Sequence, residues 1–76
     1  MRLAIVKIFD RNPPSGNREE YFLFDSEEKI LTLLEERFPR KENTWKIEHG
    51  GSPTLPFMIY GERYSITIHY VEAINL

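Results

Sequence analysis

The segment Ile47–Phe57, IEHGGSPTLPF, gathers the residue types from which a small reactive site is built. A histidine beside Gly-Gly-Ser could act as a general base next to a loop whose backbone N–H groups cradle a phosphate. Such a cradle needs donors converging on the anion, usually where a helix begins. Here the segment runs into FMIYG, which is short, apolar and strand-like, and Pro53 and Pro56 each remove a donor. Neither a Walker pattern nor G-x-G-x-x-G is present. The segment therefore reads as connective: Gly50 and Gly51 take backbone conformations that other residues resist, and the two prolines stiffen the link.

The other candidates for chemistry are sparse. His49 alternates with Trp45 and Ile47 onto the side expected to face the core, and reads as a hydrogen-bonded boundary histidine. His69 falls with Ser65 and Thr67 on the outer side of a later strand. A small enzyme or enzyme subunit with a His-based site would need a closed pocket with convergent carboxylates around one of these two, and a metal site would have to join both to Glu48 and Glu72. The histidines lack the i, i+4 spacing of a helical metal pair and no compact ligand cluster occurs, so no metal and no cofactor are expected. None of Ser15, Ser26, Ser52 and Ser65 lies in a nucleophile elbow, and Ser26 has a structural use near a helix start. The acid pairs Glu19-Glu20, Glu27-Glu28 and Glu35-Glu36 are neighbours in sequence. Neighbours on a strand point to opposite faces, and the helical glutamates lie on or near the solvent side, so none converges across a cleft as carboxylate catalysis requires. The expectation is a protein that is not an enzyme.

Bulk composition bounds the alternatives. Seventy-six residues make one small domain, 1–76, with 41% hydrophobic and 29% charged residues, which fits a globular chain and argues against disorder. A net charge of −2 supports neither a wholesale polyanion binder nor an extended nucleic-acid mimic. The absence of cysteine excludes disulfides and thiolate zinc, and the cytoplasm is the expected compartment. The opening MRLAIVKIFD lacks the pattern of a signal peptide, and no stretch approaches the roughly 20 apolar residues of a membrane span.

The elements that must position any site follow from periodicity. RLAIVKIF (Arg2–Phe9) reads as a strand, and EEYFLFD (Glu19–Asp25) as its hairpin partner. Pro13, Pro14 and Gly16 keep the long Asp10–Arg18 tip out of the ladder. DSEEKILTLLEERFPR predicts a helix, with Asp25 and Glu28 at capping-box spacing, acids in the first turn, and Arg37, Arg40 and Lys41 near an end imposed by Pro39. Ile30, Leu31, Leu33, Leu34 and Phe38 fall within an arc of about 160°, opposite Lys29, Thr32, Glu35 and Glu36. TWKIEH (Thr44–His49) and PFMIY read as a third and a fourth strand, and Gly61-Glu62 as a type II′ turn. RYSITIHYVEAI is a long fifth strand, with Tyr64, Ile66, Ile68 and Tyr70 on one face. The prediction is an α+β two-layer sandwich in the order β-β-α-β-β-β, a mostly antiparallel sheet with one helix packed on one face. Strand order does not follow from the pattern.

These strands carry apolar residues on both faces. In the first, Ala4, Val6 and Ile8 form one row and Leu3, Ile5, Lys7 and Phe9 the other; in the second, Tyr21 and Leu23 oppose Phe22 and Phe24. If the helix covers one face, the other is exposed in a monomer and marks a contact site. A sheet curled into a half-barrel would instead bury both. The first strand, interrupted only by Lys7, could also pair edge to edge with a second copy. The leading expectation is a non-catalytic protein-binding module, a small accessory or inhibitory protein of the kind that phages and mobile elements encode. It would act through a sheet face or edge strand at Leu3, Ile5, Lys7, Phe9, Tyr21 and Leu23, on itself as a homodimer or on another chain.

The alternative is a single-stranded nucleic-acid-binding domain. Lys46, Met58, Tyr60, Ser65, Thr67 and His69 would line an open face, with Arg11, Arg18 and Arg63 in nearby turns. Against it, Glu48, Glu62 and Glu72 are interspersed, and no RNP-like string, GXXG clamp or zinc knuckle occurs. The element order also differs from the βαββαβ of the common RNA-recognition domain. The outer helix face, of mixed sign, reads as solvated before it reads as a docking ridge.

Overall fold

The computed structural model describes residues 1–11, 16–47 and 55–72. Five strands and one helix follow in the predicted order: β1 (Arg2–Asp10), β2 (Asn17–Phe24), α1 (Glu27–Arg37), β3 (Thr44–Ile47), β4 (Pro56–Tyr60) and β5 (Tyr64–Glu72). They form one sheet in the order β2-β1-β5-β4-β3, antiparallel at every step, with the helix on one face.

Strand order corrects one expectation. β1 lies between β2 and β5, so its backbone groups face those two strands and it offers no edge to a second copy. The edges are β2 and β3. Because α1 joins them, it must carry the chain across the sheet. Eleven residues rise about 16 Å, close to the roughly 19 Å that separates the outer strands of a five-stranded sheet.

The helix begins one residue later than the capping-box spacing predicts. Ser26 is the N-cap, in extended backbone, and its Oγ accepts from the Lys29 N–H at 3.3 Å. Asp25 instead pairs with Lys29 Nζ at 3.0 Å, a contact that holds its carboxyl below the usual carboxylate range. At the other end Phe38 leaves helical geometry at φ −135° and ψ 72°, as the residue before a proline must, while its N–H still donates to the Leu34 carbonyl at 2.7 Å. The Pro39 carbonyl then accepts from the N–H groups of Glu42 and Asn43, both at 3.0 Å, and starts the turn into β3.

The core lies between helix and sheet. Ile30, Leu34 and Phe38 form the buried stripe of the helix, with Leu31 and Leu33 half-buried beside it. They meet Ala4, Val6 and Ile8 of β1, Phe24 of β2, Ile59 of β4, and Ile66 and Ile68 of β5. The rings of Phe38 and Tyr64 meet edge to face at 6.4 Å, as do those of Phe24 and Tyr70 at 6.0 Å. Trp45 Nε1 donates to the Phe38 carbonyl at 3.0 Å. Tyr70 sends its hydroxyl to the Pro56 carbonyl at 2.6 Å, and burial pushes its phenol above the ordinary value.

The β4–β5 turn differs from the expected type II′ turn on Gly61-Glu62. The Gly61 N–H donates to the Tyr64 carbonyl at 2.9 Å, which places Glu62 and Arg63 at the tip. Position 61 leaves little room for a side chain. A Cβ there would stand 2.4 Å from Asn43 Oδ1 and 3.1 Å from the Glu42 carbonyl.

The candidate interaction surface

With the helix on one face, the other face can be mapped from the strand register. Leu23, Leu3 and Val71 stand side by side across β2, β1 and β5. The next row on that face is Tyr21, Ile5 and His69. Then come Glu19, Lys7, Thr67, Met58 and Lys46, and finally Asn17, Phe9, Ser65, Tyr60 and Thr44, each of these two rows spanning all five strands.

The sheet does not curl to shelter this face. Phe9, Tyr21, Leu23 and Val71 are 51%, 59%, 53% and 42% exposed, against 0–1% for Ala4, Val6 and Ile8 on the helix side. Leu3 and Ile5 are half-buried between their neighbours, and Lys7 is exposed. All six residues expected to form a protein contact, Leu3, Ile5, Lys7, Phe9, Tyr21 and Leu23, therefore share one surface. Val71 belongs with them and was not singled out from sequence, although alternation through Thr67 and His69 carries to it.

Lys46, Met58, Tyr60 and His69 lie on the same face, so the two sets proposed for different partners are adjoining parts of one surface. Lys46 Nζ lies 5.9 Å from the Tyr60 ring centroid. Arg63 is placed elsewhere. Its Nε and Nη2 donate to the Asp10 carboxylate at 3.1–3.3 Å, tying the β4–β5 turn to the end of β1. His49 and the Gly50–Ser52 loop lie outside the described residues.

The cations are distributed unevenly. Each arginine of the chain is engaged internally: Arg2 with Glu27, Arg18 and Arg37 with Glu20, Arg40 with Glu35, Arg63 with Asp10, and Arg11 with the Gly61 and Glu62 carbonyls. Lys29 is held by Asp25. Lys7 and Lys46, both on the open face, have no ion pair among the described residues. Glu19 stands opposite Lys7 and accepts a hydrogen bond from the Tyr21 hydroxyl, which raises the Tyr21 phenol above its ordinary value.

Two hollows are relevant. A notch of about 260 Å³ opens on this face, lined by Lys7, Ile8, Phe9, Asn17, Arg18, Glu19, Ser65 and Thr67. A larger one, about 620 Å³, lies between the end of α1 and the β4–β5 turn. Its walls include Arg37 and Arg63, already committed to Glu20 and Asp10, and side chains of both signs at Lys41, Glu42 and Glu62. Among the described residues no buried side-chain polar atom lacks a hydrogen-bond partner and no group of three or more acids and histidines could hold a metal ion. No helix among them is long and apolar enough to cross a membrane. The outer helix face satisfies itself through Lys29–Asp25, Arg40–Glu35 and a Thr32 hydroxyl donated to the Glu28 carbonyl. Compared with known proteins, the chain matches no family model, no curated protein and no solved structure.

Proposed function

We propose that this chain is a non-catalytic protein-binding module that works through the open face of its sheet. The observation that carries the proposal is the shared exposure of Phe9, Tyr21, Leu23 and Val71 on one face of a sheet whose other face is filled by the helix. Contiguous exposed apolar side chains gain free energy when another surface covers them. A domain of this size acts in that way by occupying another macromolecule, as accessory and inhibitory proteins do. The occupant is another polypeptide, either a second copy or a different chain.

Affinity capture with the native chain and with a Leu3→Glu/Ile5→Glu variant tests the reading. A protein retained by the native chain and lost with the variant is the expected outcome. Retention indifferent to the variant would overturn it. Light scattering across concentrations reports self-association in the same samples.

A second reading rests on one observation: Phe9 and Tyr60 flank Ser65 in one row, with Lys46 beside Tyr60, an arrangement suited to stacking bases of a single strand. It requires binding to short single strands that weakens with salt and with Tyr60→Ala. The internal use of every arginine weighs against it.

A further inference from the structure

Resting on the protein-binding reading, we infer that the occupant of the open face is a second copy of this chain, turned over about a twofold axis that runs along the strands between β1 and β2. Lys7 and Glu19 are direct cross-strand neighbours on that face, yet none of the salt bridges among the described residues joins them. The Tyr21 hydroxyl takes one oxygen of the Glu19 carboxylate, and Lys7 has no ion pair among those residues. An acidic partner laid on this pair meets Glu19, a basic one meets Lys7, and a neutral one strips water from both. A turned-over copy offers the opposite charge to each.

The strand register fixes how. A closed dimer uses the same patch on both subunits, and two sheets that face each other require the axis to lie in the plane between them. Placed along the strands between β1 and β2, the axis exchanges the two strands. Each side chain then faces the copy of its own cross-strand neighbour: Lys7 over Glu19, Ile5 over Tyr21 and Leu3 over Leu23, each with its reciprocal. The four charges alternate, the apolar rows meet, and Phe9 meets Asn17 at the end of the strip. Moving the axis onto β1 sets Lys7 over its own copy, and like charges facing each other are unfavourable. Aligned sheets pack about 10 Å apart with strands within about 30°, so the exchange holds best over the central rows. The contact covers β1 and β2 with β5 at its flank, a strip about 27 Å by 14 Å. That is the small end of specific interfaces, so the dimer is weak and reversible. Lys46, on β3, is three strand spacings from β1, about 14 Å, and stays outside.

Sedimentation velocity on the full chain, loaded from about 1 µM to about 1 mM, is the test, with the folding of every variant checked by its ¹⁵N spectrum. The native chain should dimerise reversibly over that range. Lys7→Glu and Glu19→Lys should each weaken the dimer at least about tenfold, since each sets like charges face to face. Mixed in equal amounts, the two variants should pair with each other within about threefold of native strength, because every charged contact then joins opposite signs. Lys46→Glu, with the same change in net charge outside the strip, should leave dimerisation as it is. A chain that stays monomeric to the top of the range overturns the second copy. The protein-binding reading then stands if the native chain still retains a protein that Leu3→Glu/Ile5→Glu loses, and falls if it does not. Dimerisation that survives both charge variants, or that mixing does not restore, overturns the placement of the axis and with it the inference.

Discussion

Neighbouring residues of β1 provide the sharpest check on which side of the sheet is open. Ile8 is 1% exposed and packs under the helix, whereas Phe9 is 51% exposed on the other face. Truncating Ile8 to alanine removes buried methyl groups and leaves a cavity, at a cost of about 2–5 kcal/mol. For Phe9, full burial would be worth roughly 1.5–3 kcal/mol, and only half its surface is covered. Its replacement by alanine should thus cost about 1 kcal/mol, and up to about 2 with the loss of strand propensity. For a domain of this length each kcal/mol moves the melting temperature by roughly 4–8 °C. Ile8→Ala should therefore lower it by at least about 8 °C and Phe9→Ala by clearly less. Urea unfolding at several protein concentrations is the companion measurement, with equal slopes expected for the two variants. If Phe9→Ala proves as costly as Ile8→Ala at the lowest concentration, the face is already covered within a single subunit. The argument from an open surface would then fail.

Three further outcomes test the local architecture. Gly61→Ala should destabilise by about 1–3 kcal/mol through overpacking against Asn43 and Glu42; adding Asn43→Ala should restore part of the loss, and strict additivity in a double-mutant cycle would refute the clash. Arg63→Met removes a half-exposed guanidinium from a carboxylate whose side chain is 4% exposed, so a loss of stability is expected, reduced by solvent screening on the arginine side; the loss should shrink when Asp10 is already asparagine, and equal losses in both backgrounds would exclude coupling. Tyr70→Phe should cost about 1 kcal/mol at neutral pH by deleting the bond to the Pro56 carbonyl. Because burial raises the Tyr70 phenol in the fold, its neutral form adds stability that is complete below about pH 10. That stability is lost as pH rises from there towards the folded value, while the unfolded chain ionises. Urea midpoints between about pH 8 and 11 should consequently fall less steeply in Tyr70→Phe than in the native chain; identical slopes would refute the assignment.

Much of this architecture is legible along the chain. Alternation in Arg2–Phe9 separates Ala4, Val6 and Ile8 from Leu3, Ile5 and Phe9, and the structure keeps that division. The helix stripe Ile30, Leu34 and Phe38 and its end at Pro39 follow from period and from the geometry forced on the residue before proline. Finer features were less legible. Asp25 and Ser26 are both good caps, and spacing favoured Asp25; the structure uses Ser26 and leaves Asp25 for Lys29. Gly61 resembles a turn glycine, yet what crowds it is Asn43, eighteen positions away, which no local signal reveals. Likewise Arg63 looks available for a phosphate until Asp10 is seen beside it.

Residue type and period were enough to determine the elements, their order and the two-sided character of the strands, because these depend on contacts between neighbours a few positions apart. Tertiary structure alone decided that β1 lies inside the sheet and pairs with β5, and that β2 and β3 form the edges. It also decided that Lys7, Phe9, Met58, Tyr60 and Lys46 lie in adjoining rows of one surface. Those relations join residues up to seventy positions apart, and they are set by which strands the crossing helix leaves room to pair.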